Sequence, residues 1–185
     1  MDKIATHNSV TGERGHGILS WLVAPFSMCQ SKTLKEQYNA GCRYFDIRYR
    51  WSKRRKHFVC AHGLWEAKKT LQEVLDELRD IARGHNDRVY IMLTYEGECD
   101  VSTAFSVAHS LKEPYGYNIS ITYSYIKKPY WRLVDVFLPL HHKNHYKVLD
   151  GSSWHTYIPI PWLWKKLYYN TPKFNDDYFV FVDFL

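Results

Sequence analysis

Residues 33–48 read TLKEQYNAGCRYFDIR, and a change of period inside that stretch decides the fold. Thr33 to Ala40 has helical spacing and is closed by Gly41, whereas Cys42 to Arg48 alternates like a strand. His57 to Ala61 is a second β-run, ending at His62-Gly63. Thr70, with Glu73 three residues on, resembles an N-cap that opens a helix, and Leu71, Val74, Leu75, Leu78 and Ile81 form its apolar stripe. Gly84 to Asp87 reads as a turn. Arg88 to Tyr95 is a nearly continuous apolar strand ending at Glu96, the pattern of burial on both faces.

Outward from this block the signals thin. Upstream, Asp2 to Ala5 reads as a short strand running into THNS (6–9), followed by a loop rich in glycine and apolar residues to about Gln30. Downstream, Val101 to Leu111 has helical spacing, Tyr146 to Leu149 is a candidate strand, and Tyr178 to Leu185 is a strong β-run that carries Asp183. Alternating strands and helices predict an α/β fold with a parallel sheet. Three strands end at His7, His62 and Glu96, and in a (β/α) barrel the active site lies at strand C-termini. A chain of 185 residues is short for eight βα units. The expectation is therefore a compact, distorted or incomplete TIM-like (β/α) barrel, a single domain over residues 1–185.

Hydrophobic residues at 45% and charged residues at 24% are ordinary globular values, and no apolar run is long enough to span a bilayer. His7 lies so close to Met1 that a removable signal sequence is not expected. The chain reads as soluble or peripheral to a membrane. The net charge of +6 favours anionic partners such as phospholipid headgroups, nucleic acid or other phosphate esters. Cys29, Cys42, Cys60 and Cys99 form no C-x-x-C pair, so buried thiols are expected rather than a zinc site or a disulfide framework. His141, His142 and His145 lack companion ligands at a metal-binding spacing and read as surface residues.

Two histidines at strand ends, an arginine and several carboxylates suit phosphoryl transfer without a metal. One imidazole takes the proton of the attacking hydroxyl and the other protonates the leaving oxygen. A guanidinium such as that of Arg48 holds two non-bridging oxygens and stabilises the charge that builds on them. Asp183, if close to His7, would fix its tautomer.

THNS (6–9), LKEQYNAGCRYFDIR (34–48), AHG (61–63), TLQEVLDEL (70–78) and VYIMLTYE (89–96) together resemble the X domain of phosphatidylinositol-specific phospholipase C. Order and spacing agree over residues 4–96, and VDF (182–184) looks like the family's last barrel strand. The resemblance implies cleavage of a glycerophospholipid phosphodiester through a cyclic inositol phosphate. It implies His7 as general base, His62 as general acid, Arg48 as phosphate clamp, Asp183 as the partner of His7, and Asp46 in the same pocket. The sibling glycerophosphodiesterases are disfavoured, because Asp46-Ile47-Arg48 stands where their metal pair would be and Gly63 follows His62. No cofactor is favoured, since Arg48 points to the metal-free branch of the family. Calcium is the alternative, with Asn8, Asp46 and Glu96 as its ligands.

A lipid substrate implies peripheral contact with a membrane interface. Ile18 to Phe26 follows the first strand, where family members carry a membrane-touching element. Trp162 and Trp164 beside Lys165 suit headgroup depth. Asn8, Glu96, Trp162, Trp164 and Lys165 are the expected substrate-binding residues. The basic run WSKRRKH (51–57) reads as a solvated turn or as a contact for phosphorylated headgroups. Two other classes compete: a catalytically impaired barrel kept as a membrane-binding or assembly module, and, ranked last, a nucleic-acid-binding protein.

Overall fold

The computed structural model describes residues 4–85 and 88–96 and, through their backbone, residues 119–126, 146–148 and 179–182. Strands β1 (Ile4–Thr6), β2 (Cys42–Ser52), β3 (His57–His62), β4 (Trp65–Thr70), β5 (Val89–Glu96), β6 (Ile119–Ile126), β7 (Tyr146–Val148) and β8 (Phe179–Val182) form one sheet. Helices α1 (Gly17–Ser27), α2 (Leu34–Asn39) and α3 (Leu71–His85) and a 3-10 turn, Ser9–Gly12, accompany it. Six strands run parallel in the order β7-β8-β1-β2-β5-β6. Among the described residues no pairing joins β6 to β7, so the expected α/β sheet is present in open, mixed form.

The mixed character comes from β3 and β4, which correct the expectation that His62 ends a parallel barrel strand. β3 is antiparallel to β2, pairing Tyr49 with Cys60 and Ser52 with His57, and β4 folds back on β3. Tyr49 also pairs with Tyr95 of β5, so the hairpin occupies the opposite edge of β2. That is the edge β1 takes over Cys42–Phe45. β2 is four residues longer than the sequence pattern indicated, and the added length carries the hairpin. β4 was hidden in WEAKKT, whose charged residues break the alternation, and β6 in ISITYSYI, where the alternation is present.

β2 and β5 show why one strand can be buried on both faces and still serve chemistry. Phe45, Ile47 and Tyr49 pair with Ile91, Leu93 and Tyr95, and all six join the main core with Leu71, Val74, Leu75 and Leu78 of α3. Tyr44, Asp46 and Arg48 pair with Tyr90, Met92 and Thr94 on the other face. Side chains of a strand alternate between faces, so one strand supplies helix-side packing and an internal polar surface at once. Between Ile4 and Ala5 the register of β1 jumps, from Ile4 opposite Cys42 to Ala5 opposite Tyr44. This bulge puts Ala5, and with it His7 two residues on, on the polar face of Asp46 and Arg48; bulges re-aim side chains in this way.

Helices α2 and α3 open as their sequences require. Thr33 and Glu36 form a capping box at α2. At α3 the Glu73 amide donates to Thr70 Oγ1 at 3.1 Å and the Thr70 amide to Glu73 Oε2 at 2.6 Å. The expected α3 stripe is buried except for Ile81, which packs at the core's edge while Ala82 takes the buried place. Cys29, Cys42 and Cys60 are buried and not disulfide-bonded, as expected; Cys99 and the segment 101–111 lie outside the described residues.

α1 was read as loop. It is apolar on almost every side and contains Gly17 and Pro25, so it lacks the stripe that marks an amphipathic helix. What holds it is β4: His16 N–H donates to Glu66 O at 2.7 Å and Ser20 Oγ to the same carbonyl at 3.0 Å. Gly15 is required at this contact, because a Cβ there would stand 2.8 Å from Trp65 Nε1 and 2.9 Å from Ser20 Cβ.

Leu75→Ala, at the centre of the α3–sheet contact, should lower the unfolding free energy by about 2–5 kcal/mol. Thr70→Ala, which removes only a cap, should cost about 1 kcal/mol. Denaturant melts measure both, and a Leu75→Ala loss no larger than the cap's would contradict the packing described.

Candidate active site

The turn after β1 is built around a residue in the left-handed region. Asn8 has φ 45° and ψ 51°, a conformation that asparagine tolerates better than most residues. Thr6 Oγ1 and Ser9 Oγ lie 2.9 Å apart beneath it, and Gln30 Nε2 donates to the His7 carbonyl at 3.1 Å. The turn aims the Asn8 amide N–H at Asp46 Oδ2, 3.2 Å away. It also places His7 over β2.

His7 Nε2 lies 2.8 Å from Arg48 NH2 and 3.1 Å from Asn8 Nδ2. A guanidinium only donates, so His7 Nε2 must accept: its lone pair is free of a proton and Nδ1 carries the hydrogen. Asp46 Oδ2 stands 3.6 Å from Arg48 Nε and 3.9 Å from His7 Nε2. Asp46 and Arg48 are both buried, and charges so placed must be paired. The carboxylate therefore holds the arginine, and the arginine faces the histidine.

His62, like His7, carries a hydrogen on Nδ1. Its Nδ1 lies 2.8 Å from the Ser27 carbonyl oxygen, which only accepts, so Nδ1 is the donor and Nε2 is left for the pocket. Withdrawal from water lowers the pKa of this ring. The Cys29 sulfur and the Glu96 carboxylate act the other way, against Arg48, and the net direction is upward. Gly63 follows with φ +57°, where a side chain would be strained, which explains the glycine of AHG. Its N–H donates to Glu96 Oε1 at 3.1 Å and its carbonyl accepts from Arg50, which is paired with Glu66 at 3.2 Å. The His62 turn is thus held between β2 and β5.

The fold brings together His7, Asn8, Asp46, Arg48, His62 and Glu96, six of the residues marked in the sequence. Asp183, Trp162, Trp164 and Lys165 lie outside the described residues. Ser27, Cys29, Gln30 and Thr11 were missed, because they sit in a segment read as loop and act largely through backbone groups and a thiol. Three buried oxygens of this cluster, Asn8 Oδ1, Asp46 Oδ1 and Glu96 Oε2, have no hydrogen-bond partner among the described residues. They are hard oxygen donors of the type calcium takes, so the donor set fits that ion chemically. Arg48 stands beside Asp46 and already brings positive charge to the same place.

A family model described as phosphatidylinositol-specific phospholipase C, X domain, matches residues 16–137. Comparison with curated proteins finds no significant match. Among solved structures, the phosphatidylinositol-specific phospholipase C from Listeria monocytogenes aligns with 100% of this chain and 88% of its own, at 13% identity and a TM-score of 0.61. That likeness supports the fold. The S. aureus phosphatidylinositol-specific phospholipase C, in a structure concerned with modulation of its membrane binding, aligns at 17% identity with a TM-score of 0.48, over 66% of this chain. This chain spans 46% of the S. aureus protein's length.

The surroundings of His62 keep its ring protonated to higher pH than an ordinary histidine. Its NMR titration midpoint should lie above 6.5, the usual value. A midpoint below that would mean desolvation outweighs Cys29 and Glu96.

Proposed function

The chain belongs to the phosphatidylinositol-specific phospholipase C X-domain family, and from that premise we propose that it is a phosphodiesterase that cleaves a glycerophospholipid by histidine acid-base catalysis. The observation that carries the proposal is that both histidines hold a hydrogen on Nδ1 and keep Nε2 for the chemistry: His7 Nε2 is a bare acceptor, while His62, fixed through Nδ1 to Ser27, has the raised pKa that favours a protonated ring. The catalytic unit is taken as one domain over residues 1–185.

The inositol 2-hydroxyl attacks phosphorus as His7 Nε2 takes its proton. Arg48 turns from His7 to the non-bridging oxygens, its guanidinium still braced by Asp46. The bond from phosphorus to the diacylglycerol oxygen breaks, and that oxygen takes the proton of His62 Nε2. The products are a cyclic inositol phosphate and diacylglycerol. Asp183 follows Val182, which pairs with Thr6, and is assigned to orient His7. Arg48 supplies the positive charge, and a cation beside it would be repelled. If calcium is bound instead, Asn8, Asp46 and Glu96 would hold it, and it would supply that same charge stabilisation.

Access to lipid is assigned to α1. Ile18 and Trp21 are 77% and 74% exposed, and Leu19, Leu22, Phe26 and, in the turn after His62, Leu64 are exposed as well. Arg54 of the β2–β3 turn lies beside Gly17, and its charge and that of Arg55 lower the pKa of His16, after desolvation. An apolar helix flanked by cations suits an anionic bilayer surface. Among the described residues no helix is long and apolar enough to cross a membrane. Trp162, Trp164 and Lys165 are assigned to the same interface on their composition.

Phosphorus NMR of the protein with phosphatidylinositol vesicles in chelator should show a cyclic inositol phosphate. His7→Ala or His62→Ala should slow its appearance by roughly 10²–10⁴, and Arg48→Ala by at least about 10². Wild-type turnover in either histidine variant would overturn the assignment, and product only with calcium would move the charge role to a metal. Vesicle binding without product under any condition would favour an inert membrane module. Trp21→Ala should weaken sedimentation with anionic vesicles by about tenfold. Unchanged sedimentation would remove α1 from the interface.

A further inference from the structure

Cys29 has no part in the mechanism above, yet it stands where the supports of the two histidines meet. The other buried thiols behave as structural groups: burial pushes the pKa of Cys42 up to about 12 and that of Cys60 higher still. Cys29 keeps different company. Its Sγ accepts from Asn8 Nδ2 at 3.4 Å and donates to the Ser27 carbonyl oxygen at 3.8 Å, the same oxygen that His62 Nδ1 meets at 2.8 Å, and it acts to raise the His62 pKa. Asn8 Nδ2 in turn lies against His7.

The thiol is held in place by its backbone. Thr11 Oγ1 accepts from the amides of Cys29 and Gln30 at 2.9 and 3.1 Å, and donates to the Asn8 carbonyl at 2.7 Å. The loop 27–30 is thereby fastened to the turn that carries His7. Ser27 and Cys29 then reach His62 from one loop, while Arg48 and Glu96 are the charged groups that face it from β2 and β5.

We propose that Cys29 is a positioning residue for His62: its sulfur, oriented by Asn8, holds the ring so that Nε2 meets the leaving oxygen. The proposal rests on the acid role assigned to His62. Asn8 is neutral and cannot itself give an imidazolium a charged partner. The amide instead donates to the sulfur, a soft, polarisable acceptor that lends partial negative charge to the ring. Nδ1 is taken by the Ser27 carbonyl, so the proton handed to the leaving oxygen is that of Nε2.

The test compares two leaving groups. Phosphatidylinositol releases an alkoxide that needs a proton, whereas the 4-nitrophenyl ester of inositol phosphate releases a phenolate that does not. Cys29→Ala should lower kcat on phosphatidylinositol by about ten- to a hundredfold, the scale of one hydrogen bond to a charged group, with KM nearly unchanged. The nitrophenyl ester should be cleaved at close to the wild-type rate, Cys29→Ser should recover most of the loss, and His62→Ala with Cys29→Ala should be no slower than His62→Ala alone. Equal losses on both substrates, or a further loss in the double variant, would overturn the proposal. The NMR signals of the His62 ring test it without turnover: they should shift and broaden in Cys29→Ala, and an unchanged ring would overturn it. A changed ring in a protein that cleaves neither substrate would support the Cys29–His62 link and count against the phospholipase reading.

Discussion

A buried carboxylate and a buried guanidinium on one strand face impose the constraint on which the rest of this site depends. Asp46 and Arg48 are two residues apart on β2, both removed from water, and neither could be left unpaired without a large cost. Asp46 Oδ2 meets the Asn8 amide and Arg48, and Arg48 meets Asp46 and the His7 ring. The left-handed turn at Asn8 and the bulge in β1 follow from this need, since each brings a group of the first turn to the β2 face. Backbone strain and register irregularity lie where a charge had to be met, as they do at many functional sites.

The opposite face of β2 answers a different demand. Phe45, Ile47 and Tyr49 pack with β5 and α3 in an apolar layer. One strand therefore couples stability to chemistry. A volume change on the helix side displaces the backbone that aims Asp46 and Arg48, because a close-packed core transmits small shifts. The His62 turn is held more loosely, by Arg50 and Glu96 across Gly63, and hangs on a hairpin that is no part of the parallel sheet.

That difference explains what was legible. The α2–β2 passage, the capped α3 and the apolar β5 are local patterns, set by period and by end signals, and each formed where its residues indicated. α1 was invisible because an apolar helix held by two contacts to a β4 carbonyl carries no stripe. β4 was hidden by charged residues that are at home on a hairpin. The six clustered site residues were recognisable as residue types at strand ends, but Ser27, Cys29 and Gln30 were not. A carbonyl that fixes a tautomer and a thiol that meets the same carbonyl leave no periodic trace.

By itself the sequence determined the alternation of strands and helices, the strand that bears Asp46 and Arg48, and the family to which these motifs belong. These depend on interactions among near neighbours along the chain. Only the tertiary structure decided that β3 runs antiparallel, that His62 stands beside the loop 27–30, and that both histidines carry their hydrogen on Nδ1. A protonation pattern depends on which donor or acceptor meets each ring nitrogen, and those partners come from segments 35 and 41 residues away. Separations of that size are set by packing of the whole sheet rather than by local preference.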